Sequence, residues 1–315
     1  MRLSDSWQMS FFFEVLIGGL LAGVMYSLVA LGFVLIYKAS GVFNFAQGAM
    51  LFFAALTVVG LMEKGVPFWP AVGLSAAVMV VLGILIERFV LRPLVNQPQI
   101  SLFMATIGLT FLLEGVAQGI WGANVRGLEI GIEDVPIEWL SNHLRISISK
   151  FDVAAAAICA ALVTVLAVFF SKTRIGRALR AVADDHQAAL AVGIPLKQIW
   201  AIVWAVAGFV ALVAGLLWGA RNGVQYALTF VALKALPVLI LGGFESIAGA
   251  IVGGLIIGGS EKLAEVFLGP YVHGGIEGWF AYVVALLFLL VRPEGLFGEK
   301  IIERRAPKST LTPSR

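Results

Sequence analysis

The stretch "SKTRIGRALRAVADDHQAALAVGIPLKQ", residues 171–198, is the most hydrophilic long run in the interior of this sequence. It is flanked by apolar blocks of around 20 residues, the length that crosses a bilayer core as a helix. The whole chain of 315 residues is 60% hydrophobic and 13% charged. A soluble domain carries about 45–50% apolar and about 25% charged residues. The composition therefore predicts an all-α polytopic membrane protein. Apolar runs place spans near 11–37, 48–62, 68–91, 101–121, 151–171, 199–220 and 276–291, with a longer Gly-broken stretch at 230–268. About eight transmembrane helices are expected, in one domain over 1–315 and with Gly-broken half-helices in each half.

Lysine and arginine collect on the cytoplasmic side of membrane proteins. With 172–198 taken as a cytoplasmic loop, fourteen of the 22 basic residues fall inside and six outside, while Lys234 and Lys262 lie in the ambiguous stretch. This puts the N-terminus outside, the loop 122–150 outside and the tail 299–315 in the cytoplasm. The first ten residues lack the basic stretch and small-residue cleavage site of a removable signal, so the first span is expected to act as an uncleaved one. The late stretch "LPVLILGGFESIAGAIVGGLIIGG", 236–259, is interrupted near its middle by Gly242, Gly243, Glu245 and Ser246. Two half-helices meeting there suit the required parity better than one crossing.

A weak repeat links the halves. "VFNFAQGAMLF" (42–52) and "GFESIAGAIVG" (243–253) align Phe43 with Phe244, Gly48 with Gly249 and Ala49 with Ala250, each with a polar residue, Asn44 or Glu245, beside the break. Paired interrupted helices can set irregular backbone around a central transport site. Glycine and alanine also simply let helices pack closely. Asn44, Gln47, Gly48, Glu245, Ser246 and Gly249 are the residues expected on a translocation path. Among the ionisable residues in apolar runs, Glu14 and Glu87 read as interfacial. Glu114 falls well inside its span, where a charge is costly and marks a cavity or a partner.

Residues 174–192 are expected to form one amphipathic helix. Ile175, Leu179, Val182, His186 and Leu190 recur at spacings of three and four, opposite Arg177, Arg180, Asp184 and Gln187. Alanine supplies helix propensity without bulk, and Gly193 with Pro195 ends the helix. The bland reading is a solvated loop helix; the sharper one is a protrusion that docks on a soluble partner.

The single Cys159 excludes an internal disulfide and a cysteine-built metal site. The net charge of +3 gives nucleic-acid binding no support. His143, His186 and His273 stand far apart, neither H-E-x-x-H nor G-x-S-x-G occurs, and no G-x-x-x-x-G-K-[ST] phosphate loop is present. The chain is not expected to be an enzyme or to need a cofactor.

Three motifs resemble permeases of ATP-driven (ABC) importers of the branched-chain amino-acid, LivH-type family. "GRALRAVADDHQAALAVGI" resembles the family's cytoplasmic coupling segment through Gly176, Arg177, Ala178, Arg180, Ala181, Asp185, Ala188, Ala189, Gly193 and Ile194. "GLLAGVMYSLVALGFVLIYKASGVFNFAQGAM" (19–50) resembles its first span and N-F-A-x-G segment. "LGGFESIAGAIVGG" (241–254) resembles its late Gly-rich segment. The resemblance implies an inner-membrane subunit whose coupling helix, with Gly176, Arg177, Arg180, Asp184, Asp185 and Gly193, docks on an ATPase. It implies two ATPase subunits, a second homologous permease (LivM-type), a periplasmic substrate-binding protein and membrane lipid as partners. Gln47 and Ala49 stand where many such permeases have histidine and an acid, so this path is less charged. Related systems carry urea, amides or aromatic and short-chain acids. An ion-coupled secondary transporter is the rival from another class, with only Glu114 and Glu245 to serve as coupling carboxylates.

Overall fold

The computed structural model describes residues 2–94, 97–184 and 186–298. The chain is helical: α1 (Arg2–Ser40), α2 (Gln47–Glu63), α3 (Phe68–Leu85), α4 (Gln99–Trp121), α5 (Glu138–Leu144), α6 (Lys150–Lys172), α7 (Arg174–Asp184), α8 (His186–Ala191), α9 (Leu196–Asn222), α10 (Val231–Lys234), α11 (Leu236–Gly242), α12 (Ile247–Leu268) and α13 (Phe280–Val291). A π-helical turn, Ile86–Leu91, extends α3, and a 3-10 turn, Tyr226–Phe230, leads into α10. Among the described residues six helices are long and apolar enough to cross a membrane, and three shorter apolar helical stretches, Gln47–Glu63, Tyr226–Gly242 and Phe280–Val291, accompany them.

Local chemistry explains the boundaries. Pro67, Pro98 and Pro195 stand immediately before α3, α4 and α9, where the fixed proline φ and missing N–H cost nothing. Ser149 and Ser246 cap α6 and α12 by accepting from Phe151 N and Gly249 N. Gly193 takes a positive φ after α8, and Ile194 N reaches back to Ala189 O at 2.9 Å.

α1, α9 and α12 form the middle of the bundle with α2, whereas α3, α4, α6 and α13 turn large apolar side chains such as Val81, Phe111, Val165 and Leu287 outward. A lipid solvent accepts that exposure. The tightest seam joins the early and late parts of the chain. Gly19 and Gly23 of α1 face Gly254 and Gly258 of α12 so closely that a Cβ on any of them would overlap the opposite backbone. The four-residue spacing on both helices lets the backbones touch, and in lipid that packing replaces the hydrophobic effect as the force between helices. Ser27 adds a hydroxyl hydrogen bond to Ile251 O at 3.4 Å.

α7 and α8 cover the helix expected over 174–192 on either side of Asp185, which lies outside the described residues. Leu179 and Val182 are buried as expected, but in α8 it is Ala189 that packs inward. Leu190 is 55% and Val192 76% exposed.

Candidate functional site

Both helix breaks lie at the same end of the bundle, beside α7. The first, residues 41–46, links α1 to α2; the second, 243–246, links α11 to α12. Lys38 Nζ donates to Glu245 O at 3.3 Å, and the Tyr37 and Phe244 rings are 5.5 Å apart. Phe43 and Phe244, the pair aligned by the repeat, meet edge-on at 6.2 Å. The repeat is therefore a spatial pairing as well as a sequence one.

Inside the first break the polar groups serve one another. The fully buried Asn44 accepts from Ala46 N at 3.1 Å through Oδ1 and donates to Gln47 Oε1 at 3.3 Å through Nδ2. Gln47 Nε2, also buried, has no acceptor among the described residues and presses against Gly32. Gly48 abuts Thr229 O so tightly that no Cβ would fit. At the second break, Ser246 Oγ caps Gly249 N at 2.9 Å and Gly249 abuts Gly242 O, while Glu245 is exposed. Leu296 N and Phe297 N reach the carbonyls of Leu241 and Gly242, which lack acceptable partners within α11.

Above the first break lies a cavity of ≈320 Å³ between α2, α4 and the Tyr226–Lys234 segment. Phe33, Phe43, Phe45, Phe111 and Phe230 contribute to its wall, with Gly48 and Ala49 from the start of α2 and Glu114 from α4. Of the six expected path residues only Gly48 lines this cavity. Asn44 and Gln47 are packed beneath α2, and the residues of the second break stand apart from it.

At the coupling end, the structure gives the expected arginines a definite intramolecular task. Arg180 donates to Phe170 O at 3.1 Å and Ser171 O at 3.3 Å, and Arg177 to Lys172 O at 3.4 Å. They satisfy carbonyls left over at the C-terminus of α6, where a cation also suits the helix dipole. Gly176 abuts Phe170 O with no room for a Cβ, and its N–H is capped by Thr173 Oγ1 at 3.2 Å. α7 is thus clamped to α6, and it also packs on α1 and α9. Asp184 ends α7, and Asp185 lies outside the described residues.

Residues 15–292 match the family described as "Branched-chain amino acid transport system / permease component". The chain belongs to this family. Among relatives of the branched-chain permease family, the high-affinity branched-chain amino acid transport system permease protein LivH of Escherichia coli (strain K12) is 28% identical over 95% of this chain and 99% of its own length. The corresponding BraD protein of Pseudomonas aeruginosa is 28% identical over 93% and 98%. A solved structure of PsaBC from Streptococcus pneumoniae in complex with Fab covers 92% of this chain and 94% of its own, with a TM-score of 0.45 at 14% identity. As a permease component the chain is a multi-pass membrane protein and not itself an enzyme; its family works with ATPase and substrate-binding partners.

In this permease the end of the bundle opposite α7 holds a group of charges that the sequence left unpaired. Lys234 Nζ lies 3.2 Å from Glu261 Oε1 and 2.9 Å from Glu277 Oε1, lining a cavity of ≈460 Å³ with Tyr26 and Arg221. Burial pushes the Glu277 carboxyl up, but the hydrogen bond and charge of Lys234, with Lys262 and Arg221, hold it below its ordinary value. Arg221 pairs with Asp152, and Arg126 with Glu63. Glu87, read as interfacial beside Arg88, is buried and held by Arg92 in a two-pronged pair at 2.7 and 3.1 Å. A five-residue spacing is out of phase with an ordinary helix face, and the π turn brings the two together, which is why spacing alone did not show it. Glu14, by contrast, accepts from Ser147 N of the loop, the interfacial position expected.

Proposed function

We propose that this chain is the membrane-spanning permease subunit of an ATP-driven importer, translocating leucine, isoleucine, valine or similar apolar amino acids delivered by a periplasmic binding protein. Two ATPase subunits and a second, LivM-type permease complete the assembly in the bacterial inner membrane. The N-terminus is outside and the C-terminus cytoplasmic. Six long apolar helices and three shorter apolar stretches are found among the described residues; counted together as crossings they give an odd number, which supports termini on opposite sides.

The observation that carries the reading is the clamp of α7 on α6, next to both helix breaks. Arg180 and Gly176 fix α7 to Phe170, and Lys38, the last basic residue of α1, holds the backbone of Glu245. A displacement of α7 by an ATPase is transmitted to α6, α1 and α9 as packed units, because interiors are not continuously deformable. The breaks at Asn44–Gln47–Gly48 and Glu245–Ser246–Gly249 are where these helices change direction, and alternating access runs through them. Gly176, Arg177, Arg180, Asp184, Asp185 and Gly193 shape the docking segment, and Leu190 and Val192 supply its exposed apolar contact.

Leu190→Asp with Val192→Asp tests the docking surface. The expected outcome is a chain that purifies monodisperse but no longer retains the ATPase in a detergent pull-down. Arg177→Glu with Arg180→Glu should reduce both assembly and substrate-stimulated ATP hydrolysis. If neither pair of substitutions changes either quantity, the reading fails.

A further inference from the structure

Glu114 is only 7% exposed, on a helix with no basic residue, and it lines the ≈320 Å³ cavity above the first break. Among the described residues no lysine, arginine or histidine lines the cavity. A buried carboxylate that has no basic counter-charge is expensive and signals a missing cation. Much of the remaining wall is aromatic: Phe33 stacks on Phe43 at 4.8 Å, and Phe45 meets Phe43 at 4.6 Å. Ring faces attract an ammonium and also bury aliphatic surface. Gly48 and Ala49, in the first turn of α2, also line the cavity, and the positive end of a helix dipole favours a carboxylate there. The volume lies at the small end of ligand clefts, about 300–1,000 Å³.

We infer that this cavity is a transit subsite for a zwitterionic amino acid, with Glu114 holding the α-ammonium, the start of α2 facing the α-carboxylate and the phenyl rings receiving the apolar side chain. The inference deepens the importer reading and rests on it. It carries a selectivity: a carboxylic acid lacking the amine meets the Glu114 charge in a medium of low dielectric and is repelled. Aromatic and short-chain acids are then poor cargo, even when a binding protein delivers them.

The test uses the complete transporter in proteoliposomes, with radiolabelled leucine and 4-methylpentanoate, its deaminated analogue. Wild type should take up leucine on ATP addition and not the acid. Glu114→Gln should lower leucine uptake about tenfold or more, since a charge-assisted hydrogen bond is lost, while basal ATP hydrolysis persists and Glu114→Asp restores part of the uptake. A second measurement stands apart from the folding of that variant. Thr110, on the same wall, bonds only its own helix at Thr106 O, and Thr110→Cys with Cys159→Ser gives one thiol in the cavity. Leucine should slow labelling of that thiol by a methanethiosulfonate reagent, and 4-methylpentanoate should not. Wild-type uptake by Glu114→Gln, or thiol labelling indifferent to leucine, overturns the subsite while leaving the importer reading intact. A wild-type transporter that carries no leucine overturns the importer reading itself.

Discussion

The two helix breaks share a sequence pattern, an end of the bundle and an aromatic contact, yet they solve opposite problems. The break before α2 is sealed: Asn44 and Gln47 are wholly buried and must find their hydrogen bonds in the chain itself. The break before α12 is open: Glu245 is exposed, and Ser246 makes a conventional helix cap. What the repeat preserves is the backbone, through a glycine at the start of each following helix. What differs is the solvent each break sees, and that sets which polar side chain it tolerates.

The strongest challenge to this comparison is at the paired glycines. Gly48→Val and Gly249→Val each force a side chain into a carbonyl, at Thr229 and Gly242 respectively. Both should prevent recovery of monodisperse protein by gel filtration, a cost of at least about 1–3 kcal/mol. Tolerance of one alone would end the equivalence. Next comes Asn44→Ala, which strands Ala46 N and Gln47 Oε1 in a dry interior. It should lower stability by about 1–3 kcal/mol in detergent unfolding. Ser246→Ala should cost about 1 kcal/mol, the loss of a cap. Glu245→Ala should stay within about 0.5 kcal/mol, as an exposed position does. If Glu245→Ala proved as costly as Asn44→Ala, the contrast between sealed and open breaks would be wrong.

The smallest effect is expected far from both breaks. The Glu277 carboxyl is held below its ordinary value of 4.5 by Lys234. Its stabilisation is therefore present above that value and is lost as pH falls through the lower folded one. Because the side chain is 41% exposed, the contribution is below about 1 kcal/mol. Glu277→Gln should lower stability by that amount at neutral pH, leave the acid end unchanged and so flatten the acid limb of a stability profile.

The apolar runs made the helices legible, because length and hydropathy alone determine what a bilayer accepts. The break at 243–246 was also visible, since glycine beside a glutamate interrupts an otherwise apolar run. Three features were not. In 174–192 it is Ala189 and not Leu190 that packs inward, a choice between adjacent residues that spacings of three and four leave open. Arg177 and Arg180 read as free docking charges, yet the carbonyls they satisfy belong to the end of the preceding helix, which periodicity within their own helix cannot show. The pairing of Lys234 with Glu261 and Glu277 spans 27 and 43 residues, a separation that only the fold closes. Glu114 was singled out as a carboxylate well inside its span, but apart from Phe111 the rings around it come from three other segments.

The glycine seam between α1 and α12 has a consequence for how the protein is made. Among the six long helices α1 is the most enclosed, with 78% of its core window buried by protein. Its backbone partner across the Ser27–Ile251 contact is encoded 224 residues later. At about 5–20 residues per second that is a wait of roughly 11–45 s, during which the glycine face of α1 borders lipid or the insertion machinery. The seam between α1 and α12 therefore closes late, long after α1 itself has been made.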